Sequence, residues 1–207
     1  MKRIRITISI SQDVASEVDR LIDGTKIRNR SHAIETLLSE SLKLSSIKTA
    51  VILAGGKNVT NRTDAIKNAI KQLQSFGIFN MTIAVGFLGK ELLESLNITE
   101  DKNISVHRSN NGTGGSLYEL KSKLNKPFFV VNVNEKTEVD LQNLIKFHNQ
   151  HRPIATIATK SLRELNGFYL LEPDIFNYIP KGFSSLEDEV FVKLTKEGKL
   201  LSYPVLT

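Results

Sequence analysis

Five stretches of the 207-residue chain offer side chains or backbone groups capable of recognition or catalysis. In the first, Arg3, Arg5, Thr7 and Ser9 alternate with Ile4, Ile6, Ile8 and Ile10, which puts the polar groups on one face of a strand and the isoleucines on the other. In the second, Ala54-Gly55-Gly56 ends an apolar run, where glycine lets a phosphate-bearing ligand approach backbone N–H groups with no Cβ in the way. The third, Gly112-Thr113-Gly114-Gly115, is either a ligand contact or a tight loop before a helix. His148 and His151, three apart at a helix end, have a spacing that can share a metal; with no third ligand in view, solvated side chains are the expectation. Glu187-Asp188-Glu189 reads as favourable charge at a helix start rather than as a catalytic carboxylate pair.

The elements that hold these residues follow from periodicity. Residues 3–10 predict a strand, and Ser11 is an N-cap for a helix carrying Val14, Val18, Leu21 and Ile22 that Asp23-Gly24 ends. A second helix starts near Asn29 or Ser31 and carries Ile34, Leu37, Leu38 and Leu42. One strand and two helices make too little core to stand alone, and without cysteine the remaining staple is a second copy of the same unit. Further on, strand-like runs at 49–53, 81–85, 104–107, 128–133, 154–159 and 168–171 are mostly separated by helical patterns near 64–76, 89–96, 115–124, 139–150 and 185–196, predicting a three-layer α/β domain.

Composition narrows the class. A 40% hydrophobic and 24% charged chain without cysteine is neither disordered, collagenous nor disulfide-stapled. The net charge of +6 permits an acidic partner without demanding one. No apolar run reaches the ~18 residues of a membrane span, and the basic start at Met1-Lys2-Arg3 passes into alternation rather than an apolar signal core, so a cytoplasmic location with no membrane partner is expected. Triplets such as Asn58-Val59-Thr60 are accordingly read as chance rather than glycosylation sites.

The pattern over 3–44 resembles the ribbon-helix-helix DNA-binding domain. The resemblance implies a homodimer whose paired N-terminal strands lie in the major groove of double-stranded DNA, with Arg5, Thr7 and Ser9 at base edges and Arg3 near the backbone. It also implies that Asn29, Arg30 and Ser31, at the start of the second helix, hold a phosphate.

The rest of the chain is similar to the sugar-phosphate nucleotidyltransferases, which make nucleotide sugars from a nucleoside triphosphate and a sugar phosphate. The matching pieces, in family order, are Val51-Ile52-Leu53-Ala54-Gly55-Gly56, Phe76-Gly77-Ile78 leading to Ala84-Val85-Gly86-Phe87-Leu88-Gly89, Gly112-Thr113-Gly114-Gly115-Ser116-Leu117, 128–134, Asn166-Gly167-Phe168-Tyr169 followed by Glu172-Pro173, and Ser185-Leu186-Glu187. Carried over, the nucleotide cradle is Leu53, Ala54, Gly55, Gly56, Gly112 and Thr113, with Asn132 and Asn134 at the end of the fourth matched strand. Three departures stand against catalysis. The loop after the Gly-Gly turn, 57–62, is shortened; Asn134 stands where the family has the Asp that holds magnesium; and 159–165 lacks the family's Glu-Lys-Pro hairpin for the sugar phosphate.

The combined expectation is an α/β protein with a ribbon-helix-helix module at 1–45, its β-ribbon dimeric, and a Rossmann-like three-layer α/β/α nucleotidyltransferase-like domain at 48–207. Its function would be transcription regulation: a DNA-binding homodimer, or a tetramer, whose second domain is a pseudoenzyme that senses a nucleotide or sugar nucleotide or serves assembly. Neither a catalytic residue, a metal nor a cofactor is expected. The alternative is a divergent but active sugar-phosphate nucleotidyltransferase dimerised by its N-terminal module, and a third reading is a purely architectural second domain.

Overall fold

The computed structural model describes residues 4–41, 47–55, 63–86, 89–96, 103–132, 138–159 and 167–205, with the side chains at 40, 89–91 and 93 excepted. The chain divides into two compact units, Met1–Leu44 and Ser45–Thr207.

The first unit holds α1 (Gln12–Arg20) and α2 (Arg30–Ser41). Ser11 caps α1, its hydroxyl accepting from Val14 N at 3.4 Å. The turn between the helices is organised by Asp23, whose carboxylate accepts from the backbone N–H groups of Thr25, Lys26 and Ile27 at 2.9, 2.8 and 2.9 Å. Those bonds, from Ile27 and Thr25 foremost, pull its pKa down to about 2. Arg30 forks onto Asp19 through Nε (2.5 Å) and Nη2 (2.6 Å), fixing α2 to α1. Residues 4–10 pair with no strand of the described chain.

The second unit is a seven-stranded sheet in the order β3-β2-β1-β4-β6-β5-β7. The strands are β1 (Thr49–Ala54), β2 (Asn80–Val85), β3 (Ile104–Arg108), β4 (Phe128–Asn132), β5 (Ala155–Thr159), β6 (Gly167–Leu171) and β7 (Leu200–Pro204). β1, β2, β3 and β4 run parallel, while β6 is antiparallel to both neighbours. The continuous apolar runs are strands covered on both faces, because successive side chains point to opposite sides. Ala50, Ile52, Phe129, Val131, Phe168 and Leu170 join α3 (Thr63–Ser75), α4 (Gly89–Leu96) and α6 (Leu141–His151) in one core. Their alternates Val51, Leu53, Phe128, Val130, Tyr169 and Leu171 join α5 (Gly112–Glu119), α7 (Phe191–Lys196) and the π-helical turn Leu186–Val190 in the other.

Three expectations change: the segment expected as a strand over 3–10 is no strand at its described residues 4–10, where no described neighbour pairs with it, and two further points concern the sheet unit. β7 has no counterpart among the sequence-predicted strands, because Leu-Leu-Ser-Tyr-Pro is short and ends in proline; as an edge strand with one neighbour it tolerates both. His148 is buried rather than solvated. Its Nδ1 meets Thr156 Oγ1 at 2.8 Å and its Nε2 meets Glu172 Oε1 at 3.1 Å, while burial holds its pKa below the ordinary value. His151 instead lies at the surface against Phe147, with ring centroids 4.4 Å apart, so the two histidines do not converge.

Candidate functional site

The strand order reverses between β1 and β4: from β1 the chain winds outward through β2 and β3, then returns to β1's other side. In open α/β sheets such a reversal opens a crevice at the carboxyl ends of the strands, and ligands bind there. Leu53 and Ala54 end β1, and Gly55 follows as an exposed residue. Asn132 ends β4 one position past the Ile52/Val131 pair, which sets it beside Leu53. Gly55 and Gly86, each just past its strand, lie so close that a Cβ on Gly86 would stand 3.7 Å from Gly55 Cα.

The third wall is the start of α5. Gly112 has φ +72°, and a Cβ there would fall 2.4 Å from Ser184 O; one on Gly114 would fall 2.5 Å from Ser184 Oγ, and one on Gly115 2.2 Å from Gly182 O. The three glycines therefore let the helix start lie flush on 182–184, sealed by Gly114 N donating to Ser184 O and Ser184 N to Asn111 O, at 2.9 and 3.0 Å. Close packing of the chain on itself accounts for this glycine pattern.

What joins these walls is a residue that sequence reasoning had assigned to a helix dipole. Glu187 turns inward, accepting from Thr113 Oγ1 on one oxygen (2.7 Å) and from Asn132 Nδ2 (2.7 Å) and Tyr169 OH (3.3 Å) on the other. Thr113 Oγ1 also accepts from Leu186 N at 2.9 Å. Burial first, and then the Glu187 charge, push the Tyr169 phenol far above its usual range, so it stays a donor. Ser185 and Glu189 do the capping instead: the Ser185 hydroxyl accepts from Asp188 N at 3.1 Å, and Glu189 Oε1 accepts from Ser185 N at 3.0 Å. Three acids in a row hide this division of labour. The signal that separates them is Ser185 with acids three and four residues on, which leaves Glu187 free to face the sheet.

The sequence-predicted residues thus fall into three groups. Thr113 and Asn132 meet through Glu187, with Leu53, Ala54, Gly55 and Gly112 around the same strand ends. Arg3, Gly56 and Asn134 lie outside the described residues, as do 57–62 and 160–166. Arg5, Thr7 and Ser9 are exposed in the N-terminal unit. There Asn29 Oδ1 caps α2 by accepting from His32 N at 2.9 Å, Ser31 is exposed in its first turn, and the Arg30 guanidinium is committed to Asp19.

Among the described residues no group of three or more His, Asp or Glu could hold a metal ion. Glu187 meets protein donors on both its oxygens. No helix among the described residues is long and apolar enough to cross a membrane.

No family model matches the chain. It is similar to the probable mannose-1-phosphate guanylyltransferase 3 of Oryza sativa subsp. japonica, 27% identical over 177 residues, covering 66% of this chain and 49% of that protein. It is also similar to the mannose-1-phosphate guanyltransferase of Saccharomyces cerevisiae, 24% identical over 178 residues, covering 67% and 49%. The chain thus spans about half the length of the curated relatives it matches. Among solved structures, HddC from Yersinia pseudotuberculosis complexed with GMP-PN superimposes with a TM-score of 0.60 at 15% identity, over 77% of this chain and 91% of that one. The 4-diphosphocytidyl-2C-methyl-D-erythritol synthase of Anaerococcus prevotii gives 0.51 at 12%, over 77% and 87%. The seven-stranded unit has the nucleotidyltransferase fold.

These relatives overturn the expectation of a DNA-binding transcription regulator with a pseudoenzyme domain, and with it the expectation that the chain is no enzyme: the proteins it resembles are named as guanylyltransferases. That expectation leaned on Asn134, 57–62 and 159–165, three local departures, and gave too little weight to the retained strand ends and α5 start.

Proposed function

We propose that the chain transfers a nucleotidyl group from a nucleoside triphosphate to a sugar phosphate, releasing pyrophosphate. A phosphate oxygen of the sugar phosphate attacks the α-phosphorus, the bond from that phosphorus to the β-phosphate oxygen breaks, and the two products are a nucleotide sugar and pyrophosphate. The observation that carries the reading is the alignment of two thirds of the chain with mannose-1-phosphate guanylyltransferases, which makes GTP and mannose 1-phosphate the first pair to try. The β1/β4 crevice supports it: Leu53, Ala54 and Gly55 present backbone along one side, and Glu187 holds Thr113 and Asn132 in place on the other. Pyrophosphate release across a panel of nucleoside triphosphates and sugar phosphates tests it. Release that needs both substrates is expected; none from any pair would refute the reading.

We infer further that the N-terminal unit is a ribbon-helix-helix module that pairs two copies of the chain through 4–10. Ile4, Ile6, Ile8 and Ile10 are 83, 75, 54 and 44% exposed, so the described residues leave much of the apolar face of the alternating segment open. A second copy laid antiparallel would cover it with the same residues, as a two-fold interface requires. Sedimentation of the purified chain reads this directly, with twice the chain mass expected.

A further inference from the structure

Beside Gly112 stands a large aromatic that neither core takes up. Phe183 is 74% exposed. Its backbone is nonetheless held, because the next residue, Ser184, is buried and hydrogen-bonded through its N–H to Asn111 and through its carbonyl to Gly114, on either side of Gly112. Gly182, at φ +89°, turns the chain just before it. The ring lies over the glycine: a Cβ on Gly112 would come 3.4 Å from Phe183 Cε2. The α5 start therefore carries an exposed flat apolar surface next to Thr113, held by backbone bonds rather than by packing in the core.

Charge decides what that surface faces. Thr113, the residue after Gly112, is bound to the Glu187 carboxylate, and a carboxylate repels the phosphates of a nucleotide. The end of a nucleoside triphosphate that rests here is its uncharged end, the base, and a base has the flat π-face that stacks on an aromatic ring. We propose that Phe183 is the platform on which the nucleotide base stacks, and so a specificity-determining residue for the nucleoside triphosphate. The proposal rests on the nucleotidyltransferase reading and adds to it the residue that holds the base.

The chain has no tryptophan, so Phe183→Trp places a lone indole at the site. Wild type, Phe183→Ala and Phe183→Trp are titrated with GTP and with inorganic triphosphate by calorimetry, and the indole emission of Phe183→Trp is followed in parallel. Thermal melting checks the fold, which an exposed side chain should leave unchanged. Phe183→Ala should bind GTP about tenfold more weakly with triphosphate binding unaltered, and should raise KM for the nucleotide without raising KM for the sugar phosphate. GTP, but not triphosphate, should quench the indole. Equal GTP affinity in wild type and Phe183→Ala, with an unquenched indole, would overturn the platform while leaving the nucleotidyltransferase reading intact. Parallel loss of GTP and triphosphate would also overturn it, by showing a disturbed loop. A wild type that neither binds GTP nor turns over any substrate pair would overturn both.

Discussion

The two units of this chain treat their apolar residues in opposite ways. From Ile47 onward the sheet buries Ile52, Val131, Phe168 and Leu170 on one face and Leu53, Val130, Tyr169 and Leu171 on the other, each nearly or wholly out of solvent. Among the described residues of the N-terminal unit only Val18 and Ala33 are buried hydrophobics, while Ile4, Ile6, Ile8, Ile10, Val14, Leu21, Leu37 and Leu38 are exposed. Both units are rich in aliphatic side chains, so content is not what separates them. A mostly parallel sheet with helices on both sides closes its own core; one alternating segment and two helices have too little core to do so, which is the ground for the proposed pairing of two copies.

The sharpest way to break this contrast is Ile6→Asp. At an exposed position of a lone chain the change would be nearly neutral, whereas at a seam between two copies it buries an unpaired charge. Sedimentation should show complete loss of the dimer at micromolar concentration, with the melting of the large unit unchanged. A variant that still runs as a dimer would place the interface elsewhere. Phe129→Ala is the counterpart in the sheet. It empties a fully buried site between β1 and β6 and should cost about 3–5 kcal/mol, seen as a lower urea midpoint, without changing the oligomeric state.

Glu187→Gln sharpens the comparison inside the sheet unit by removing charge while keeping shape. The amide offers one acceptor oxygen where the carboxylate offers two, so if Asn132 keeps its bond, Thr113 must turn from donor to acceptor, and the charge on both bonds is lost. Nucleotidyl transfer should fall by one to two orders of magnitude, on the scale of a lost charge-assisted hydrogen bond, with melting shifted far less than in Phe129→Ala. Unchanged kinetics would remove Glu187 from the site.

The smallest effect is a pH dependence. Burial lowers the folded pKa of His148 below its ordinary 6.5, so the folded state binds fewer protons than the unfolded one. Its contribution to stability is full above about pH 6.5 and is lost as the pH falls from there through the lowered folded value. Melting temperatures from pH 7.5 down to 5 should fall less steeply in His148→Gln than in the wild type. Parallel slopes would show that His148 is not the group responsible.

How much of this was legible in the sequence varied with the physics of each part. β1, β2, β4, β5 and β6 were readable because both faces are covered and the runs are largely apolar. β7 was not: its run, Leu-Leu-Ser-Tyr-Pro, is interrupted by serine and ends in proline, which its place at the sheet edge tolerates. Motif order grouped Leu53, Gly112, Thr113 and Asn132, and they do lie around the same strand ends, yet what joins two of them was not legible. The Thr113–Glu187 contact spans 74 residues and depends on which of three consecutive acids turns inward. His148 misled for a related reason: its place near a helix end suggested solvent, while Thr156 and Glu172, distant in sequence, enclose it. Function was misread where local departures at Asn134 and 57–62 were weighed above the retained frame.

Nucleotidyl transfer in the β1/β4 crevice is the central claim, and following the α-phosphorus tests it most directly. Full-length protein is incubated with GTP labelled at the α-phosphate and mannose 1-phosphate, and the label and the pyrophosphate are both quantified. Label appearing in a nucleotide sugar one-for-one with pyrophosphate, absent without the sugar phosphate and strongly reduced in Glu187→Gln, is the expected result. Label that stays in GTP, or passes only to GMP and GDP at the same rate in wild type and Glu187→Gln, would contradict it.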